Sequence, residues 1–422
     1  MRILHITSRD TGGGSGKATL RLHNAMLKAG IDSHIYFQES NSTSKNLITF
    51  LRPGFNRYAR LTRIKLKLER ILVFSFSLKK GTVFSPSIWG YSKLGKVIKQ
   101  VNPDIINIHW INYGFLSVSA ISKIKKPVVW TLCDMWPFTG GCHYSWGCTN
   151  FQNSCGSCPQ LRNWKFDLST IVLKWKKSNF RNLRSLTVVG KSRWITELAK
   201  QSSLFREREV HHIPNLLDQT SWQPQSTSYL RKQYLIPQGA FILLTGSLSS
   251  RNDLRKGHPI AEEVMELLSI NSSISNLPLY LVTFGFGEKL EKEKPGFKLI
   301  NLGQINDERE LCDIYSSSNA FFLSSRQENL ANTALESLFS GTPVVGFNVG
   351  GNPDLIVDGK SGFIAKNGDA SEIVRMIEKI YFEGESLRKS ARSFGLKGFS
   401  ESQIVSSYQA LYEDVLRKQS LS

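Results

Sequence analysis

Short apolar runs recur along the first half of the chain, and stretches with helical periodicity separate them. One of these stretches, residues 17–29, places Leu20, Leu22, Ala25 and Met26 on one side of a helix. The apolar runs predict strands at residues 2–7, 33–38, 104–110, 127–133, 186–189 and 210–215. Strands that alternate with helices are typical of a parallel sheet covered by helices on both faces.

The pattern starts again after a polar segment at residues 219–228, which we interpret as a linker. The second set of predicted strands lies at residues 241–247, 279–285, 298–303, 320–324 and 343–347. A helical pattern over residues 402–417 ends the chain. With 422 residues the chain is long for a single hydrophobic core. We therefore expect an α/β protein with two doubly wound domains.

Composition adds charge to this picture. The chain contains 54 lysine and arginine residues against 34 aspartate and glutamate residues, a formal net charge of +20. Such a surplus attracts polyanions or an anionic membrane surface, although diffuse solvated charge explains it equally well. No signal peptide precedes the first glycines, and no run approaches about 18 apolar residues. These observations predict a cytoplasmic protein whose six cysteines are thiols or metal ligands rather than disulfides.

Residues 324–354 carry the most informative motif, in which Glu328 and Glu336 stand eight positions apart. A helix that begins after Glu328 directs its first backbone N–H groups into the preceding loop, where they can bind an anion. Glu336 would lie about one turn inside that helix and accept hydrogen bonds from hydroxyl groups beside the anion. A diphosphate next to a diol indicates a nucleotide-sugar. Thr333 and Glu336 also form the pattern of a helix capping box, and both interpretations stay open.

This stretch resembles the nucleotide-sugar signature of family-4 (group 1) retaining glycosyltransferases with the GT-B fold. The matching positions are Ser324, Glu328, Glu336, the segment Ser340-Gly-Thr-Pro-Val-Val345 and the pair Gly350-Gly351. The resemblance implies two Rossmann-like doubly wound domains that face each other across a cleft. Residues 1–218 would form the acceptor side, residues 219–398 would bind the nucleotide-sugar, and a terminal helix at 399–422 would return to the first domain. It also implies transfer of a sugar from a nucleotide-sugar to a hydroxyl group of a saccharide acceptor, with retention of anomeric configuration.

The resemblance assigns roles to particular residues of this motif. Glu328 would contact the transferring sugar at the catalytic centre, and Glu336 would bind the ribose. The family usually has Phe-Gly after the first glutamate, whereas this chain has Asn329 and Leu330. We predict that Asn329, Leu330 and Ala331 line the substrate site and give its sugar pocket a shape of its own.

The family also binds the diphosphate with a loop that this chain supplies at residues 244–257. Lys256 and Gly257 match the family's Lys-Gly pair, whereas Ser247 replaces the usual basic residue. Arg251 or Arg255 could substitute, and we prefer Arg255 because it adjoins Lys256. Fixed positive charge from Arg255 and Lys256 would stabilise the leaving diphosphate, so we expect no cofactor for catalysis. A solvated basic loop is the alternative interpretation.

Two further strand ends, in the first half, are candidate substrate contacts. The loop at residues 11–17 has neither the Walker A nor the G-x-G-x-x-G pattern, but its glycines let the backbone approach a ligand closely. The family carries such a loop over the donor phosphates and the acceptor, so we predict substrate contacts from Gly13 and Gly14, with a tight turn as the alternative. Cys133 stands where the family often has histidine, and Asp134 follows it at a strand end where ligands bind in open α/β sheets. A buried core thiol is an equally weighted interpretation of Cys133.

Four of the six cysteines fall within seventeen residues, and Cys155-Gly-Ser-Cys158 has the spacing of a zinc knuckle. We predict a structural zinc in this Cys-rich insert, 142–158, held by Cys142, Cys148, Cys155 and Cys158, with His143 as a spare ligand. Free thiols or a redox disulfide are the alternatives. The insert contains no lysine or arginine, which argues against a zinc-containing nucleic-acid-binding protein, the rival that the charge and the cysteines together suggest.

Residues 52–80 combine basic and apolar side chains, and Leu61, Ile64, Leu68, Ile71 and Leu72 hold helical spacing. Such a face can lie on anionic lipid, or pack as an ordinary amphipathic helix on its own domain. The first interpretation predicts a peripheral protein at the inner membrane face, acting on a lipid-linked saccharide in surface polysaccharide biosynthesis. A relative that binds nucleotide-sugars without catalysis is a further rival, because positions 133 and 247 depart from the family pattern.

Overall fold

Two seven-stranded sheets organise the chain, one in each of two units. The computed structural model describes all residues except 10–12, 52–55, 76–82, 91, 162–166, 184, 248–252, 367 and 422. The first unit comprises Met1–Pro214 and Ile404–Ser422, and the second comprises Asn215–Gln403. From the sequence we expect the two domains to end at residues 218 and 398, whereas the two units divide after Pro214 and after Gln403.

The sheet of the first unit is parallel throughout. Its strands are β1 (Arg2–Arg9), β2 (Asp32–Glu39), β3 (Leu47–Leu51), β4 (Ile105–Ile108), β5 (Val128–Leu132), β6 (Leu186–Gly190) and β7 (Glu209–His212). They lie in the order β3-β2-β1-β4-β5-β6-β7. Every residue of β4, β5 and β6 is buried, which explains why these strands appear in the sequence as mainly apolar runs with single polar residues. The apolar pattern missed the edge strand β3, because its residues 47–50 are only half-buried.

The helices of the first unit connect these strands. They are α1 (Gly14–Lys28), α2 (Asn56–Ser75), α3 (Leu94–Val101), α4 (Val118–Ile121), α5 (Leu168–Phe180) and α6 (Arg193–Gln201). Residues 133–161, which include the Cys-rich insert, follow β5 and contain two short 3₁₀ turns at Trp136–Phe138 and Asn150–Gln152.

The second unit repeats the arrangement with one antiparallel pair. Its strands are β8 (Phe241–Gly246), β9 (Leu279–Phe284), β10 (Leu290–Lys294), β11 (Phe297–Asn301), β12 (Ala320–Leu323), β13 (Val344–Phe347) and β14 (Gly362–Ala365). Their order is β10-β11-β9-β8-β12-β13-β14, and β10 pairs antiparallel with β11. The sequence pattern missed β10, whose residues are charged and largely exposed, and the four-residue edge strand β14.

Helices cover both faces of this second sheet. They are α7 (Tyr229–Gln233), α8 (Pro259–Asn271), α9 (Glu308–Ser317), α10 (Asn332–Phe339), α11 (Asn352–Leu355) and α12 (Ala370–Phe399), which bends at Gly384. Neighbouring strand residues enter two separate buried clusters: Leu244 and Phe321 pack in one, Leu243 and Phe322 in the other. Because successive side chains of a strand point to opposite faces, the predicted doubly wound arrangement is confirmed.

The chain ends in α13 (Glu401–Ser420), which belongs to the first unit from Ile404 onward. Two buried tyrosines of this helix form hydrogen bonds with polar residues of β4 and β5. Asn107 Nδ2 donates to the Tyr412 hydroxyl over 2.6 Å, and the Thr131 and Tyr408 hydroxyls lie 3.2 Å apart. A buried polar group without a partner costs about 1–3 kcal/mol, so these pairs fix the register of the terminal helix on the sheet.

Candidate active site

The turn that follows β8 is joined to the end of β12 by close backbone contacts. Gly257 has φ +62°, and a Cβ atom at this position would lie 2.3 Å from the Ser324 carbonyl oxygen. Only glycine meets both requirements. Ser324 Oγ donates to the Lys256 carbonyl over 2.8 Å, and Arg326 N donates to the Arg255 carbonyl over 2.8 Å. These contacts at the Lys-Gly pair therefore fix the main chain from which the side chains of Arg255 and Lys256 extend.

Both basic side chains meet the carboxylate of Glu328. Lys256 Nζ lies 2.5 Å from Glu328 Oε2, and Arg255 Nη1 lies 3.4 Å from the same oxygen. Arg255 also pairs with Asp253 through Nη2 at 3.0 Å. The family resemblance implies that the two cations bind the diphosphate and Glu328 the sugar, and the structure places all three side chains in one cluster.

Glu328 is ionised in this cluster although it is buried. Its residue exposure is 6%, and burial alone would raise the pKa of the carboxyl group. The Lys256 ammonium and the Arg255 guanidinium outweigh burial and hold the pKa of Glu328 below its ordinary value. The charged carboxylate also accepts hydrogen bonds from Asn329 N at 3.1 Å and Ser325 Oγ at 3.5 Å.

The Gly-Gly turn after β13 presses directly on the Glu328 backbone. Gly350 has φ +54°, and a Cβ atom there would approach the Glu328 carbonyl oxygen to 2.0 Å. Gly351 N donates to that oxygen over 3.0 Å. The glycines of the motif thus position Glu328 by letting the turn come within contact distance of its main chain.

Helix α10 begins four residues after Glu328 and carries Glu336 on its fifth position. Its N-cap is Ala331, whose side chain makes no capping hydrogen bond. Thr333 is the second residue inside the helix, so the capping-box interpretation is wrong: the box requires Thr333 at the N-cap. The buried Glu336 carboxylate accepts a hydrogen bond from the Tyr315 hydroxyl at 3.4 Å.

The other residues predicted to contact the substrate have different surroundings. The side chains of Leu330 and Ala331 are buried in the hydrophobic core of the unit, so they support the loop from the core side. Ser247, where the family has a basic residue, lies with its hydroxyl 3.2 Å from His258 Nε2. His258 has no motif to mark it, and sequence reasoning missed it. Arg251, the second candidate cation, lies outside the described residues.

The strand ends of the first unit form a separate polar cluster. Asp134 Oδ2 lies 2.6 Å from His143 Nδ1 and accepts a hydrogen bond from Trp110 Nε1 at 2.7 Å. Trp136 N donates to Asp134 Oδ1 over 2.9 Å. Although burial alone would raise the pKa of Asp134, His143 and these donors hold it below its ordinary value.

His143 is tied to this cluster through both ring nitrogens, because its Nε2 lies 2.9 Å from Ser85 Oγ. The expectation that His143 serves as a spare metal ligand is therefore wrong. Cys133, next to Asp134, is half-buried, and burial raises the pKa of its thiol. Gly13 forms the N-cap of α1, with Gly14 as the first helical residue, and no described atom lies within 4 Å of a Cβ built on Gly13. Residues 10–12 of the same loop lie outside the described residues.

The four clustered cysteines are free, and all of them line one small cavity. Across the described ranges, no three His, Cys, Asp or Glu side chains stand together as a formed metal-binding group. The zinc site stays a prediction at this point.

Comparison with known proteins identifies the second unit. Residues 230–396 match the family model of "Glycosyl transferases group 1". The putative colanic acid biosynthesis glycosyl transferase WcaC of Escherichia coli K12 is 24% identical over 363 residues, with 82% of each chain covered. Among solved structures, sucrose-phosphate synthase from Thermosynechococcus elongatus superposes with a TM-score of 0.67 at 15% identity, covering 99% of this chain and 100% of that chain. Anabaena HepE in complex with UDP and glucose gives 0.62 at 16% identity, with 98% and 99% covered. These likenesses show the GT-B fold with its two Rossmann-like domains.

Proposed function

We propose that this chain, a group 1 glycosyl transferase by its second unit, moves a sugar from a nucleotide-sugar donor to a hydroxyl group of a saccharide acceptor. One observation carries the proposal: Lys256 and Arg255 converge on the buried carboxylate of Glu328, just before a helix that carries a second buried carboxylate, Glu336. Two cations, the start of a helix and two carboxylates form a set that suits a diphosphate flanked by hydroxyl groups.

Each residue then has a part in the reaction. The diphosphate would bind beside Lys256 and Arg255, whose fixed charge stabilises the negative charge that develops as the sugar leaves. Glu328 would accept hydrogen bonds from the sugar, and its contact with Lys256 keeps the carboxylate ionised for that task. Glu336 would accept hydrogen bonds from the ribose diol.

The class of substrate is inferred from the relatives. A colanic acid glycosyl transferase and a protein crystallised with UDP and glucose both align with more than four-fifths of this chain. We infer that the donor is a UDP-hexose or a related nucleotide-sugar and that the acceptor belongs to surface polysaccharide biosynthesis. We also infer that the transfer retains the anomeric configuration. In the first unit, Asp134, Cys133 and the α1 start at Gly13 and Gly14 would face the acceptor.

The surface of α2 supports an acceptor held at a membrane. Four apolar side chains spaced along one face of this helix are exposed by 47%, 48%, 64% and 66%: Ile64, Leu68, Ile71 and Phe74. Lys67 is exposed beside them, while Val73 packs into the unit. No helix in the described part of the chain is long and apolar enough to cross a bilayer. We propose peripheral binding to anionic lipid on the cytoplasmic face, where a lipid-linked saccharide would be the acceptor.

A donor screen tests the proposal. The purified chain would be incubated with UDP-, GDP-, ADP- and dTDP-sugars, and release of the nucleoside diphosphate followed with and without a saccharide acceptor. We expect one donor class to be turned over, with the anomeric configuration of the product equal to that of the donor by NMR. Binding of a donor without any release, even with acceptor present, would show a non-catalytic relative instead.

A further inference from the structure

We propose that Cys142, Cys148, Cys155 and Cys158 bind one thiophilic divalent cation, with zinc as the ion best suited to four cysteine ligands. The inference does not depend on the transferase proposal. All four side chains line a single cavity of about 20 Å³. A cavity of that size holds a guest about as large as one water molecule. A single ion therefore fits among the four side chains.

The main chain of the knuckle is held by hydrogen bonds to side chains at the start of α5. Gly156 N donates to Ser169 Oγ over 3.0 Å, and Cys158 N donates to Asp167 Oδ2 over 2.8 Å. Surrounding contacts of this kind orient metal ligands.

A buried basic side chain lies beside the insert. Lys176 is fully buried, and its Nζ donates to the Thr139 carbonyl over 3.1 Å and stands 3.7 Å from the Trp136 ring centre. A buried cation is costly unless an opposite charge is close. The Asp134 carboxylate is one such charge, and a four-thiolate metal centre, which carries net negative charge, would add another.

The backbone of the knuckle, Cys155–Cys158, has a conformation that needs stabilising contacts. Cys155, Gly156 and Ser157 have successive φ values of +53°, +99° and +44°. Left-handed conformations of non-glycine residues cost about 1–3 kcal/mol each and persist where the surroundings enforce them. Asn150 contributes from one side, through hydrogen bonds with Cys155 N at 3.0 Å and Gly156 O at 2.9 Å. Ligation of an ion by Cys155 and Cys158 would fix the other side.

Ion binding requires the four cysteines to lose their protons and their sulfurs to draw together, because the sulfurs do not form a ligand group among the described residues. Binding would release protons and be lost at acid pH.

The ion would position the polar cluster of the first unit. Cys142 directly precedes His143, and the His143 ring holds Asp134 at 2.6 Å. A metal at Cys142 would therefore anchor the segment that presents this pair at the end of β5.

Metal content of the full chain tests the inference. Protein made without a metal-affinity tag and without added metal should contain about one zinc per chain by elemental analysis. Exchange for cobalt should give the intense thiolate-to-metal absorption of a four-cysteine site. Cys142→Ser and Cys155→Ser should each lose the metal. The matched control Cys312→Ser, which changes a buried cysteine of the second unit, should keep it.

Three outcomes would overturn the inference. The first is metal-free protein with six titratable thiols that takes up no cobalt. The second is an intact mass two hydrogens below that of the reduced chain, which reveals a disulfide. The third is full metal content in both serine variants. If those variants fail to fold, the metal content and cobalt spectrum of the unmodified chain decide the question. A metal-free chain that still transfers sugar would reject the ion and leave the transferase proposal intact.

Discussion

Lys256 and Glu328 lie 72 positions apart in the sequence and form a partly buried ion pair, with Nζ 2.5 Å from Oε2. The pair joins the turn after β8 to the loop after β12. Arg255 approaches the same carboxylate oxygen at 3.4 Å. The charges proposed for the diphosphate and for the sugar are therefore coupled, and a change at one of them alters the other.

Replacing Lys256 by alanine should remove most transferase activity. The change deletes a fixed positive charge beside the proposed leaving group and leaves Glu328 with Arg255 as its remaining cation. Loss of such a preorganised contact costs about 2–4 kcal/mol of transition-state stabilisation, or roughly 30- to 1,000-fold in kcat/KM. Initial rates of nucleotide release measure it. Lys298→Ala, which breaks a surface ion pair with Glu291 on β10, is the matched control and should keep normal rates. Equal rates in the two variants would contradict the assignment.

Glu336→Gln should weaken binding of donors that carry an intact ribose diol. Glutamine keeps an acceptor oxygen for the Tyr315 hydroxyl, so folding stability should change little. The lost charged hydrogen bonds should again cost about 2–4 kcal/mol.

Donor analogues that lack one ribose hydroxyl show whether Glu336 acts on that group. The unmodified chain should bind the deoxy donor more weakly than the parent donor by calorimetry. Glu336→Gln should discriminate much less between the two, because the hydroxyl has already lost its partner. Undiminished discrimination in the variant would place the ribose elsewhere.

The sheets could be predicted from the sequence because most of their strands are buried on both faces. The runs at β5 and β8 contain only apolar residues or buried threonine and glycine, so tertiary contacts and local pattern agree. Strand β10, Leu290–Lys294, alternates glutamate and lysine and is stabilised by pairing with β11. A charged edge strand of that kind has no apolar signal, so the sequence alone could not show it.

The candidate site likewise has some features that the sequence predicts and others that it does not. Motif spacing marked Glu328, Glu336 and Lys256 one by one, but the ion pair between Lys256 and Glu328 depends on how two distant loops meet. The sequence suggests a metal ligand at His143 because Cys142 directly precedes it. Its contact with Asp134, nine positions away, crosses an irregular loop, and its contact with Ser85 spans 58 positions, so no local pattern reports them.

The contribution of Glu328 to stability should fall at acid pH. The folded-state pKa of this carboxyl group lies below its ordinary value of 4.5. The ionised group therefore stabilises the fold fully above about pH 4.5, and this contribution is lost as the pH falls below 4.5 through the folded-state pKa. Glu328→Gln cannot ionise and leaves Lys256 without its closest partner. At pH 7 it should be less stable by on the order of 3 kcal/mol.

Urea unfolding of both proteins between pH 7 and pH 3 measures the effect. The difference in unfolding free energy between the unmodified chain and Glu328→Gln should shrink as the pH decreases below 4.5. Glu291→Gln, at an exposed ion pair, should differ little from the unmodified chain at any of these pH values. A difference for Glu328→Gln that stays constant with pH would show that the carboxyl group does not change charge in the expected range.

Removing the apolar stripe of α2 should abolish binding to anionic vesicles. Burial of an isoleucine or phenylalanine side chain contributes about 1.5–3 kcal/mol, so Ile71→Ser with Phe74→Ser should lower the fraction bound at least tenfold. The matched control, Leu235→Ser with Ile270→Ser, removes side chains that are 88% and 72% exposed on the second unit and should bind as the unmodified chain does.

Added salt should weaken binding of the unmodified chain, since lysine and arginine residues near the lipid each contribute roughly 1 kcal/mol and salt screens that attraction. Co-sedimentation with anionic vesicles gives the readout, and donor hydrolysis should stay unchanged in both variants. If the unmodified chain fails to sediment with the vesicles at low salt, α2 does not bind lipid and the acceptor need not be held at a membrane.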